Sequence, residues 1–139
     1  MPWVLYAAAV YNILWGGFVV LFPEALFRWV EADVPRYPEL WQCIGMIVGV
    51  YGVGYAVAAR DPLRHWPIVL VGLLGKILGP VGFFEAVVIR DVFPLAFGVT
   101  ILTNDLVWWV PFALILWRAR RRHAASSTSP DAAPAGVHA

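Results

Sequence analysis

Long apolar runs alternate with short polar breaks along this chain. Trp3 to Phe22 is interrupted only by Asn12, and Leu40 to Ala59 carries Gln42 near its start and no charge. Pro67 to Ile89 contains Lys76 and Glu85, and Pro94 to Trp117 contains Asn104 and Asp105. Each run reaches the roughly 20 residues that a helix needs to cross a ~30 Å hydrocarbon layer. Their apolarity is continuous rather than alternating, which excludes a β-barrel. Pro2, Pro67 and Pro94 stand where helices would begin, the one helical site at which a missing N–H costs little. The pattern predicts an all-α integral membrane protein, a four-helix transmembrane bundle with spans at about 3–22, 40–59, 67–89 and 94–117.

The breaks add detail. In Pro23–Glu31 the charges Glu24, Arg28 and Glu31 share one face while Leu26, Phe27 and Val30 take another, which predicts a short amphipathic helix lying in the interface between helices 1 and 2. Pro35 and Pro38 then favour an extended link. Residues 1–123 form the transmembrane domain, and 124–139, rich in Ala, Ser and Pro, read as a disordered cytoplasmic tail. Arginines at 60, 64, 118, 120, 121 and 122 flank one side, six against the three at 28, 36 and 90, which predicts that both termini are cytoplasmic. A bacterial inner (plasma) membrane is the expected location. Trp3, Trp29, Trp41, Trp66 and Trp117 fall near the expected interfaces, as an aromatic belt requires. Met1-Pro2-Trp3 lacks the basic start of a cleaved signal peptide, so the first span is expected to be retained.

Composition agrees with this picture: 61% of the 139 residues are hydrophobic, 14% are charged, and mean hydropathy is +0.73. A net charge of +1 without a long basic stripe argues against a nucleic-acid partner. Cys43 is the single cysteine, which rules out an internal disulfide or a CxxC redox pair. His65, His123 and His138 lie outside the spans, so a haem held between intramembrane histidines is excluded. No Cys, His and carboxylate cluster has metal-ligand spacing, and neither metal nor cofactor is expected.

In lipid, helices associate through close packing at small residues. Gly45, Gly49 and Gly52 line one face of the second span, and Gly72, Gly75, Gly79 and Gly82 line one face of the third. Ala8, Asn12 and Gly16 do the same in the first, and Pro80 is expected to bend the third. These stripes read as packing seams, or as bare backbone leaving room for a flat ligand.

Chemistry concentrates in the charges within the spans. Lys76 lies about 14 Å, and Asp105 about 18 Å, from the same side, so the two signs meet at similar depth. Intramembrane charges usually face inward and pair. Lys76 and Asp105 are expected within hydrogen-bonding or one-water distance, with Asn12 near the same depth and Asn104 adding hydrogen bonds. One reading is a structural ion pair; the other is a site that binds a headgroup or passes a proton. Trp108 and Trp109 share the face of Asp105 one turn further on, as ring-stacking walls or simply as bundle filling. Glu85 lies about 180° around its helix from Lys76 and, with Gln42, forms a candidate outer polar mouth unless it snorkels to the interface.

Four short helices with intramembrane polar residues and the turn Arg60-Asp61-Pro62 after the second resemble the DoxX-like small membrane proteins. More distantly, the layout is similar to the EXPERA group. The DoxX resemblance implies an accessory role near quinone or thiol redox complexes, although this chain lacks redox cysteines or histidines of its own. The expectation is therefore a bilayer protein whose buried polar site binds a quinone, isoprenoid or lipid. The alternatives are an accessory or assembly subunit of a membrane redox complex, acting as a homo-oligomer or with a partner, and an EXPERA-type isomerase using Asp105 or Glu85. Whether the chain is an enzyme stays open at this stage.

Overall fold

The computed structural model describes residues 1–127. Helix α1 runs Pro2–Leu21, the short α2 Ala25–Trp29, α3 Pro38–Ala59 and α4 Trp66–Phe84, the last continuing as one π turn over Glu85–Ile89. The remaining rod is a composite of a 3-10 turn Leu95–Phe97, α5 Gly98–Ile101, a π turn Leu102–Leu106 and α6 Val107–Ser127. Among the described residues there is no strand, and four rods are long and apolar enough to cross a membrane: Pro2–Leu21, Pro38–Ala59, Trp66–Ile89 and Leu95–Ala125. The run-length reading locates all four. The last helix continues beyond the expected span, past Trp117 to Ser127. Residues 124–127, expected in a disordered tail, are helical, and 128–139 lie outside the described residues.

Helices α1 and α3 meet at bare backbone. A Cβ on Gly52 would stand 2.8 Å from the Ala9 carbonyl oxygen, and one on Gly45 would stand 2.9 Å from that of Gly16. Both approaches are too close for any side chain, so these glycines set the distance between the helices. Gly49, Gly75 and Gly82 face nothing within 4 Å, so the stripes are only partly seams.

The core divides between two ends. Near Met1 and the Arg60 and Arg118 flanks, Val4, Leu5, Ala8, Tyr55, Ala58, Val69, Phe112 and Ile115 close together. At the opposite end, Leu26 and Phe27 of α2 pack against Phe97, with Trp41 and Phe93 beside them. The amphipathic reading of α2 holds for its charges, since Arg28 and Glu24 pair at 2.6 Å on the exposed side. Its apolar face, Leu26 and Phe27, covers the end of the bundle and packs on the aromatic ends of α3 and the last rod. The outward faces of the rods are apolar, from Trp3 and Leu14 through Val50 and Leu78 to Val110, each more than half exposed.

Candidate functional site

Two interruptions of regular helix build the site. Pro80 has no N–H, so the carbonyl of Lys76, four residues earlier, loses its helical donor. The indole Nε1–H of Trp109 donates to that carbonyl at 2.9 Å. On the facing rod, the π turn at Leu102–Leu106 disturbs the usual ladder, and the Lys76 ammonium donates to the carbonyl of Asn104 at 2.5 Å. Isolated π turns of this kind are frequent at functional sites. The two rods are thereby joined through each other's irregular backbone. The Lys76 ammonium also lies 5.9 Å from the ring centres of both Tyr55 and Trp108, within cation–π range.

Asp105 projects from the same π turn and is only 6% exposed. The missing side chain of Gly79 makes room for it, because a Cβ there would lie 3.0 Å from its Oδ2. Among the described residues no donor reaches this carboxylate, and no approach of 4.0 Å or less pairs it with Lys76. The two groups make no direct ion pair, the nearer of the two distances expected from depth and sign. The π turn offers the ammonium a carbonyl one residue away, and the two charges stand on one cavity without touching.

That cavity holds about 160 Å³, room for about five waters at their liquid volume. Asn12, Tyr51, Tyr55, Lys76, Asn104 and Asp105 give it polar walls, and Gly72 and Gly75 a bare one. Tyr55 fills the bare surface at Gly72, where a Cβ would fall 2.6 Å from its ring. A second hollow of about 370 Å³ shares Val48, Asn104 and Asp105 with the first and continues along Trp15, Ile44, Trp41, Phe83, Phe93 and Phe97. It is aromatic and apolar. Trp41 sits edge-on to Trp15 at 5.8 Å and to Phe97 at 5.7 Å.

Among the described residues three buried polar atoms have no hydrogen-bond partner: Oδ1 of Asn12, Oδ1 of Asn104 and Nε1 of Trp41. Asn12 lines the first hollow, Trp41 the second and Asn104 both. An unmet buried polar group costs about 1–3 kcal/mol, so each is a local cost to the fold at the walls of these hollows.

Of the residues read from sequence, Lys76, Asp105, Asn12 and Asn104 gather at this cavity. Trp108 and Trp109 do not line either hollow; their indole N–H groups are committed to the carbonyls of Thr103, at 3.1 Å, and Lys76. The bond from Trp108 stays within its own rod, and that from Trp109 joins the last rod to α4. Glu85 and Gln42 form no joint mouth. Glu85 approaches Arg90 at 3.6 Å, and Gln42 donates to the Val20 carbonyl at 2.8 Å, one of the orphan carbonyls at the end of α1. The outer opening is aromatic instead. Tyr51, Tyr55, Trp15 and Trp41 escaped sequence reasoning, though the glycine run beginning at Gly72 signalled that something flat packs there. Among the described residues no group of three His, Cys, Asp or Glu side chains could hold a metal ion. No family model matches the chain, and no curated protein or solved structure shows significant similarity to it.

Proposed function

We propose that this chain is an integral membrane protein, crossing the bilayer four times, whose interior binds a small amphipathic molecule. The observation that carries the reading is the junction at Val48, Asn104 and Asp105, residues that border both a polar cavity and an aromatic groove. A head group sits among Asn12, Lys76, Asn104 and Asp105, and an apolar tail follows the groove past Val48 toward Trp41 and Phe97. Exposed apolar faces of this extent are untenable in water. The six arginines gathered at the end that holds Met1 support cytoplasmic termini, with α2 and the Arg90-Asp91 turn outside.

Binding is the activity supported. The two charged groups suit a proton-bearing head group.

The test extracts the chain with its membrane lipids and weighs the intact complex by native mass spectrometry. A discrete small lipophile should accompany the chain. Val48→Trp, at the junction, should remove it while leaving the fold intact, because Val48 borders open volume on both sides. A chain that carries nothing in either form refutes the proposal.

A further inference from the structure

Charge and open hydrogen-bonding positions at the junction point to the head group, on the footing that the site takes an amphipathic molecule. Some donors nearby are committed: Trp109 to the Lys76 carbonyl, Trp108 to the Thr103 carbonyl, and the Tyr11 hydroxyl to Thr103 Oγ1. The Lys76 ammonium spends one proton on the Asn104 carbonyl and keeps two. Asp105, 6% exposed, receives no hydrogen bond from the described residues. A head group that fits both must bring a proton to Asp105 and an acceptor to Lys76.

Charge narrows the choice. An ammonium head would satisfy Asp105 but meet Lys76 as a like charge on the same cavity wall. A carboxylate or phosphate head would suit Lys76 and repel Asp105. A quinone, ester or ether supplies only acceptors and leaves the carboxylate unmet. A hydroxyl is neutral and does both. It can donate to Asp105 while accepting one of the two ammonium protons that Lys76 does not spend on Asn104. One oxygen then serves two opposite charges that line the same cavity without a direct ion pair.

We infer that the site selects a lipophilic alcohol, its hydroxyl set between Lys76 and Asp105 and its hydrocarbon tail lying in the groove that runs to Trp41 and Phe97. The rest of the polar cavity keeps room for water.

Three probes with the same tail decide this: farnesol, its methyl ether and farnesylamine, each titrated into the detergent-solubilised chain and followed by tryptophan emission and melting temperature. Farnesol is expected to bind about tenfold or more tighter than the ether, the effect of one hydrogen bond to a charged group. It should also bind more tightly than the amine. Asp105→Asn, which keeps the shape, should cut the preference of alcohol over ether to about threefold or less, because the bond then has a neutral acceptor. Equal binding of alcohol and ether would overturn the inference while leaving an amphipathic site standing. So would tightest binding by the amine, which would make Asp105 a counter-ion. No binding by any of the three, with a folded protein, would remove the amphipathic site as well.

Discussion

Replacing Trp109 by phenylalanine should reveal how α4 and the last rod hold each other, and Pro80 makes the measurement specific. The indole N–H is the donor to the Lys76 carbonyl, whose ordinary helical donor is missing because residue 80 is proline. Interhelical hydrogen bonds in membranes average about 0.6 kcal/mol and reach about 1.7. This one should lie at the upper end, since the carbonyl has no helical donor to fall back on. Trp109→Phe should thus cost about 1–2 kcal/mol, part of it from the smaller ring. Pro80→Ala returns an N–H to position 80 and gives the carbonyl an in-helix donor. In that background the cost of Trp109→Phe should fall to the ring term, so the double-mutant cycle should show a coupling of about 1 kcal/mol. Reversible unfolding in mixed micelles, followed by far-UV dichroism, measures all four corners. A coupling within error of zero would show that the indole does not replace the lost backbone donor, and the account of how Lys76 is positioned would fall with it.

Other outcomes follow from particular contacts. Gly52→Ala should destabilise by several kcal/mol, because its Cβ would meet the Ala9 carbonyl at 2.8 Å, backbone that cannot swing away. Gly49→Ala, facing open space on the same helix, should gain about 0.5–1 kcal/mol from helix propensity, and thermal melts of the two variants check the contrast. Asp105→Asn should hold or raise the melting temperature of the ligand-free chain, because the carboxylate is buried without a donor; a drop of several degrees would mean it holds a contact the fold needs. Glu31 has φ of 53°, so Glu31→Gly should stabilise by about 0.5–1 kcal/mol, read from the same melts.

The spans were legible because a helix long enough to cross a membrane needs a run of apolar residues that little else in a sequence requires. Lys76, Asp105, Asn12 and Asn104 were legible for a related reason: polar groups inside such runs are costly, so the helices turn them toward one another. The partnerships were not legible. Lys76 bonds to a backbone carbonyl rather than to Asp105, and the availability of that carbonyl depends on a π turn in Leu-Thr-Asn-Asp-Leu that no proline or glycine announces. Trp108 and Trp109 look the same on a wheel whether they face a ligand or a carbonyl. Only the loss of the N–H at Pro80, on a different helix, decides for Trp109. The aromatic groove draws Trp15, Trp41, Phe83, Phe93 and Phe97 from four separated stretches of chain, a convergence that periodicity within any one stretch does not encode.

The π turn at Leu102–Leu106 has a meaning for sequence change as well as for bonding. A π turn is equivalent to an α-helix into which one residue has been inserted, and the extra residue is absorbed locally rather than passed along the rod. Each residue of an α-helix advances the side chains by about 100°. A residue added to regular helix would turn everything beyond it by that angle; here the bulge takes up the step, so removing one residue between Ile101 and Asn104 would close the rod into regular α-helix with Phe97 and Thr100 still facing the groove. What would go is the irregular backbone that presents the Asn104 carbonyl to the Lys76 ammonium. The extra residue therefore serves the bond to Lys76 and not the alignment of the two hollows.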